Sequence, residues 1–537
     1  MQKECFLSDR VPEGWKQFIR SAVCRDLPVN LEHEGEKYCL LHFPSYYEKP
    51  GFQELLDERL NEVYEKPFVE IVEQTTITHP IDFTGVWFPR ISFRNRVFDK
   101  PVCFNFATFT MVDFGNCEFI VNPQFRSANF IESAGFDSCK FKSCIDSSEA
   151  DFSNAIFDGI TSFSSTIFNC GVSFSSTKFN SQVTFAQVKF NSQDLSKRVS
   201  FYKTKFQGET GFWSTNFASA VNFDYAIFAG KTIFESVNFN SFASFSQCHF
   251  KENSLTTFEA TKFFDAANFQ SVRIQGRVVI DGSRESKVFG DGVRLDMQNF
   301  VVLDNGVFMF KSVILRPNWF INCEAQSIHF VDVDWTDNVD GRILIESELR
   351  ELTRQNFQGR IRPLFVITCR QLTENAENNN RFEEASKFRR MAFECERLER
   401  KDKISNWWNE SVSCLSIFNK IIEKAKTFPY DFFHWVYRWT SGYGENRLWA
   451  FFVLFLIVFI STILYSTPLC EFPNGQDGIR SLDFFESVAY SLRAMVLQRP
   501  EPFPTNTFGK IVLALETVFA PLQAALLALA IRRKFMR

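Results

Sequence analysis

The sequence predicts a mostly-β solenoid, then an α-helical hairpin, then a C-terminal end that crosses a membrane twice. Two observations carry this: phenylalanine recurs at steps of five and six through the middle of the chain, and two long apolar runs lie in its last hundred residues. The first run of the comb is Phe152, Phe157, Phe163, Phe168, Phe174, Phe179, Phe185, Phe190; the second runs from Phe201 through Phe206, Phe212, Phe217, Phe223, Phe228, Phe234, Phe239 and Phe245 to Phe250. With 67 Phe against 11 Tyr and 10 Trp in 537 residues, this is not general aromatic enrichment. Neither step fits a helix at 3.6 residues per turn or a strand at 2. A fixed period of this kind signals a solenoid, in which each repeat buries its apolar face against its neighbours.

The residue two before each Phe is small or β-branched, as in Ala150, Ala155, Thr161, Thr166, Val172, Thr177 and Val183. Residues two apart in an extended segment point the same way. Each unit therefore puts one Phe and one small residue inside, with turn formers such as Ser175-Ser176 between units. Four units make a coil of 22 residues, so Phe201, Phe223 and Phe245 should stack, as should Phe206, Phe228 and Phe250. The pattern resembles the pentapeptide-repeat family, which implies a right-handed quadrilateral β-helix. The resemblance covers Phe83 to Phe269, with Phe in place of the family's common Leu and every second step lengthened to six. The register slips near Ser147 and Leu195. Coils about 4.8 Å apart make this part a rod roughly 40 Å long. Burial of each Phe contributes roughly 1.5–3 kcal/mol, so the comb reads as core rather than as a binding surface.

Residues 1–80 are expected to form an N-terminal cap, 81–270 the regular β-helix and 271–340 a less regular continuation. Within the cap, Gly51–Tyr64 has helical spacing and would cover the open end of the β-helix. The segment from Glu36 to Phe52 resembles the Cys-x-x-His-containing lead-in found before some pentapeptide solenoids. Cys39 and His42 admit a metal reading, but a packed lead-in is favoured, and no metal or cofactor is expected. The 14 Cys are scattered. Cys117, Cys139 and Cys248 occupy the small inward slot, where a thiol acts as a small hydrophobe, and Cys139 and Cys144 are too isolated for zinc.

The net charge is −4, and Glu149 to Asp265 mixes ten acids with nine bases. Nucleic acid is therefore not an expected partner, and the acidic surface of the DNA-mimicking, gyrase-protecting pentapeptide proteins is not expected either. The start lacks the apolar core of a signal peptide, which favours reduced cysteines in a cytosolic compartment. The six His are scattered, and there is no His-Glu-x-x-His, phosphate loop or nucleophile elbow, so no enzymatic activity is expected.

Residues 341–402 are assigned to a helical hairpin linker, with helices over 364–379 and 381–401 resembling a tetratricopeptide hairpin. Its Arg389, Arg390, Arg397 and Arg400 read as a solvated face, with an anionic partner or lipid as the alternative. Residues 403–446 read as an interfacial amphipathic segment, with Trp407, Trp408, Trp435 and Trp439 at headgroup depth and Lys420, Lys424 and Lys426 towards lipid phosphates.

Residues 447–537 carry spans at 448–466 and 508–531. Arg532, Arg533, Lys534 and Arg537 then place the C-terminus, and with two spans also the solenoid, on the cytoplasmic side of a bacterial inner membrane. Between the spans, residues 481–497 read as a short half-inserted helix, with Ser481, Asp483 and Glu486 at its start and Arg493 at its end. From Ser441 to Arg537 this order resembles the pore module of the potassium-channel superfamily, and in particular bacterial proteins that fuse pentapeptide repeats to such a pore. That resemblance implies an ion channel, a homotetramer and a pore helix. It departs at the filter. Potassium channels use a Gly-containing loop of carbonyls, but here Met495 to Pro504 contains no Gly and has Pro500, Pro502 and Pro504.

The expected pore is therefore wide and weakly selective, and its candidate residues are Arg493, Gln498, Arg499, Glu501, Glu516, Pro521 and Gln523. Arg493 and Arg499 favour anions, while Glu501 and the helix C-terminus favour cations. Glu516 shares a helix face with Ala520 and Gln523, and Pro521 suits a hinge. It either serves the pore or hydrogen-bonds the back of the pore helix. Two functional expectations follow. One is a channel gated by an unknown cytoplasmic protein or small-molecule signal on the solenoid, with a stress or phage-defence role suggested by the architecture. The other is a non-conducting, membrane-anchored scaffold whose solenoid binds a protein partner.

Overall fold

The computed structural model describes residues 5–7, 11–24, 26–46, 49–61, 81–142, 149–192, 198–282, 287–290, 292–303, 305–335, 341–354, 360–409, 435–442, 447–474 and 478–535. The chain divides into two units, Met1–Val339 and Asp340–Arg537.

The first unit is a parallel β-solenoid of about 11 turns, pentapeptide-repeat-like in placing a Phe about every five residues. Its strands are mostly two residues long and pair with the coil above and below, as in Lys205-Phe206 with Ile227-Phe228. The expected columns form. Phe201, Phe223 and Phe245 stack at 4.8 Å with planes 3° and 5° apart, and Phe206, Phe228 and Phe250 at 5.2 and 4.9 Å. Opposite columns meet edge to face: Phe212 lies 5.8 Å from Phe201 and 5.9 Å from Phe223, at 90° and 88°. This is the arrangement that the ring quadrupole favours.

The backbone explains the alternation of five and six. In the regular coils every five-residue step contains a left-handed residue two after its Phe: Asn154 (φ 57°), Ser165 (58°), Ser176 (59°), Gln187 (58°) and Lys203 (56°). The amide of the next residue closes the turn onto the Phe carbonyl, as in Ala155 N to Phe152 O at 3.1 Å. A left-handed residue turns the corner in fewer residues, and the six-residue corners at 157–163 and 168–174 carry none. The coil is not uniformly 22 residues. Phe83, Phe104 and Phe125 stack in coils of 21 residues, and Phe125 stacks on Phe152 and Phe174 on Phe201, each 27 residues apart. The slips near Ser147 and Leu195 are thus five-residue insertions that leave every stack intact; those two residues lie outside the described set.

The small inward slot does more than fill space. Thr177 and Thr204 donate their hydroxyls to the carbonyls of Phe152 and Phe174 in the preceding coil, both at 2.7 Å. Cys117, Cys139 and Cys248 donate S–H to the equivalent carbonyls of Phe93, Phe114 and Phe223 at 3.0 Å. Where the slot holds Thr or Cys rather than Ala or Val, the residue is still small and adds a donor to the preceding coil. Thr204→Val should cost about 1 kcal/mol, the net value of one such bond; urea unfolding with no shift in midpoint would show the hydroxyl to be dispensable.

Beyond Phe269 the coils continue with Ile, Val and Met among the Phe, as the pairing of Arg277–Asp281 with Val307–Lys311 shows. Before the first coil lie α1 (Glu13–Ala22) and α2 (Phe52–Asn61). Phe52 sets its ring edge-on to Phe88 at 5.9 Å, and Asp57 pairs with Arg96 at 2.8 Å, so α2 lies over the first coil.

The second unit begins with α3 (Gly341–Arg354), which the hairpin reading did not separate out, followed by α4 (Ile361–Asn378) and α5 (Phe382–Asn409). Ile345, Leu349, Phe365, Leu372, Phe388 and Cys395 are buried between them. Three of the four arginines are paired and partly buried rather than solvated, with side-chain exposures of 18% for Arg389, 33% for Arg397 and 26% for Arg400. Arg389 pairs with Glu377, Arg397 with Glu394 at 2.9 Å and Arg400 with Glu396 at 3.9 Å, while Arg390 is exposed. Then come α6 (Arg447–Ser466), α7 (Phe484–Met495) and α8 (Thr507–Phe535). Two of these, Arg447–Ser466 and Thr507–Arg532 within α8, are long and apolar enough to cross a membrane.

Candidate functional site

Polar residues from α6, α7 and α8 meet at one point inside the fold. Glu516 of α8 is buried, and its carboxylate accepts a hydrogen bond from Tyr465 Oη of α6 at 2.8 Å and one from Ser491 Oγ of α7. One acid thus joins all three helices. Around it Tyr465, Phe472 and Tyr490 pack edge to face at 4.9–6.0 Å, with Cys470, Leu482, Ala494, Val512 and Leu513 completing a small core. Among the described residues Tyr490 Oη has no hydrogen-bond partner.

Seven residues along α8, Gln523 is also buried and donates to the carbonyls of Thr440 at 2.8 Å and Ala450 at 2.9 Å. It ties the start of α6 and the preceding helical stretch 435–441 to α8. Arg438 of that stretch pairs with Glu394 of α5 at 2.8 Å. Ala520 is buried on the same face, and Pro521 is half-buried. The face shared by Glu516, Ala520 and Gln523 is thus turned into the protomer. Glu516 is hydrogen-bonded to Ser491 of the short helix α7, as one of the two sequence readings expected. Between Ile511 and Leu522 the exposed residues of α8 are Ile511, Ala514, Leu515, Val518, Phe519 and Leu522, all apolar, while the polar exposed residues Thr507, Lys510 and Arg532 lie towards its ends.

The capping residues fall where the sequence placed them. Asp483 caps α7, and Glu486 accepts the backbone N–H of Asp483 at 3.2 Å. Arg493, Gln498, Arg499 and Glu501 are exposed beyond or at the end of α7, where Leu497 leaves the helix with φ 59°. The proline segment is held against the end of α6: Thr505 N donates to Glu471 O at 2.8 Å, and Asn506 Nδ2 to Leu469 O at 2.7 Å. Asn506 Oδ1 also accepts the Gly509 amide at 3.0 Å, capping α8. The sequence reading missed Asn506, although an Asn before an apolar run is a cap signal.

Trp435 and Trp439 are each 57% exposed, with stacked rings 6.2 Å apart, and Trp449 Nε1 donates to Trp439 O at 2.6 Å. Trp407 and Trp408 lie in the last turns of α5, and Lys420, Lys424 and Lys426 fall outside the described residues.

A second constellation lies in the N-terminal cap. Cys5, Cys24, Cys39 and His42 are all buried, and their ligand atoms lie within 4.8 Å of one another. The packed lead-in reading considered Cys39 and His42 alone; Cys5 and Cys24 come from distant segments and carried no spacing signal.

No protein-family model matches this chain, and no curated protein is similar to it.

Proposed function

We propose that this protein is a membrane-anchored solenoid: the α6–α8 hairpin sits in a lipid bilayer and carries the pentapeptide-repeat-like rod on its cytoplasmic side. The supporting observation is the division of the hairpin's surface. Glu516 and Gln523 are turned inward and bonded within one protomer, while Phe451, Phe455, Phe459, Leu515, Val518 and Leu522 are exposed. Exposed apolar faces of this extent require lipid or another protein surface. Trp435 and Trp439 suit the headgroup boundary, and the basic end favours the cytoplasmic face of a bacterial inner membrane. The rod then serves as a docking surface for a cytoplasmic protein or small-molecule signal. After alkaline carbonate extraction the full-length chain should stay with the membrane pellet; recovery as a soluble, monodisperse species without detergent would overturn the anchor.

A pore is the second reading. It is favoured by α7, which packs against both apolar helices and, with the segment after it, presents the exposed Arg493, Gln498, Arg499 and Glu501. A two-helix pore needs several copies, with a homotetramer as the natural number, and a role as a membrane-permeabilising effector in stress or phage defence depends on it. The residues to test are the exposed ones. Replacing Arg493 and Arg499 by Ala should shift the anion-to-cation flux ratio in proteoliposomes while leaving melting unchanged. A correctly inserted oligomer that never conducts, with or without cell extract, leaves the scaffold alone.

A further inference from the structure

We propose that Cys5, Cys24, Cys39 and His42 bind a structural Zn²⁺ ion that fastens the N-terminal cap to the first coil of the solenoid. Three thiolates and an imidazole are a common donor set for a closed tetrahedral zinc site. A Zn–S bond of about 2.3 Å puts two thiolates of a tetrahedron about 3.8 Å apart. Cys24 Sγ and Cys39 Sγ are 3.8 Å apart. His42 Nδ1 faces both, 3.2 Å from Cys24 Sγ and 3.1 Å from Cys39 Sγ. The three cysteines are free, and 3.8 Å is far beyond the roughly 2.05 Å of a disulfide.

The surroundings are those that zinc ligands require. His42 Nε2 lies 3.3 Å from Thr84 O, so its N–H is directed at a backbone carbonyl and its Nδ1 lone pair at the thiols. A hydrogen bond of this kind fixes the tautomer and orientation of a ligating imidazole. The Cys39 amide donates to Cys5 Sγ at 3.3 Å, a bond that favours the thiolate. Cys5, Cys24, Cys39 and His42 are 2, 6, 0 and 5% exposed, which leaves no open position for substrate or water and makes the role structural rather than catalytic.

The local fold supplies the ligands from three segments. Cys24 follows α1, its amide bonded to Ile19 O at 3.0 Å. Cys39 and His42 sit on one turn, closed by Phe43 N to Cys39 O at 3.0 Å. Lys49 Nζ donates to the carbonyls of Leu40 and Leu41, both at 3.1 Å, and of Trp87 at 2.6 Å, while Trp87 N donates to Leu41 O at 3.0 Å. The Cys-x-x-His turn is thus bonded to the first coil through Thr84 and Trp87. A terminal coil exposes unpaired strand edges and needs a cap, and residues 5–61 are too few to build much core of their own.

The test is the metal content of the full-length protein, purified in detergent under reducing conditions. One zinc per chain is expected. C24S/C39S should lose it, H42C should keep it, and C117S, which changes a solenoid thiol, should keep it. Wild-type protein with no more zinc than C24S/C39S, or with iron or copper at one per chain instead, overturns the assignment. If the double variant fails to fold, the wild-type chain still decides. Chelation and refilling with Co²⁺ should give the intense visible bands of a tetrahedral thiolate site, and the weak spectrum of octahedral cobalt overturns it. Chelation should also open residues 5–61 to protease while the rod from Phe83 to Phe269 stays resistant. None of these readouts depends on the membrane reading.

Discussion

Phe212→Ala should destabilise the solenoid by about 3–5 kcal/mol, the usual cost of emptying a Phe site in a packed core. Phe212 stacks on Phe185 at 4.8 Å and on Phe234 at 4.7 Å, and meets Phe201 and Phe223 edge-on. Its removal weakens two inter-coil contacts at once. A solenoid's stability is close to a sum over neighbouring coils, so a defect in the middle should divide the rod and turn one unfolding transition into two. Urea unfolding followed by fluorescence of the adjacent Trp213 reads this directly. Phe83→Ala should cost less, because among the described residues Phe83 stacks within its column on one side only, against Phe104 at 5.5 Å. Equal losses at both sites would contradict the nearest-neighbour account.

Glu516→Leu should loosen the C-terminal hairpin by about 1–3 kcal/mol. The substitution keeps the bulk but leaves the Tyr465 and Ser491 hydroxyls without their shared acceptor. Hydrogen bonds between membrane helices average only about 0.6 kcal/mol, which places the result towards the low end if the relaxed hydroxyls find other acceptors. Glu516→Gln retains a carbonyl oxygen and should recover part of the loss. Thermal melting in detergent measures both. A variant that melts like the wild type but changes ion flux would reverse the assignment and return Glu516 to a pore surface.

The β-solenoid was legible because its information is local and repeated. Each coil restates the same rule, a Phe and a small residue two positions apart, so errors average out along the chain. The insertions near Ser147 and Leu195 were visible as slips but not as five-residue additions, since only stacking shows that Phe125 rests on Phe152 and Phe174 on Phe201. The capping of α7 was equally legible, because Asp483 and Glu486 act within one turn. α3 was not separated because its amphipathic pattern is short and its buried side needs α4 and α5 as partners.

The sequence by itself determined the coil, its Phe core and two apolar helices, because spacing and composition fix which residues must leave water. Only the tertiary structure decided which way individual polar residues face. Glu516 could turn to either side of α8 until Ser491 and Tyr465 were placed beside it, since a helix's rotation is set by its packing partners. Cys5, Cys24 and Cys39 meet only because α1 and the turn before Phe43 fold back onto the first coil. Their separation along the chain follows no period, so nothing local could announce them.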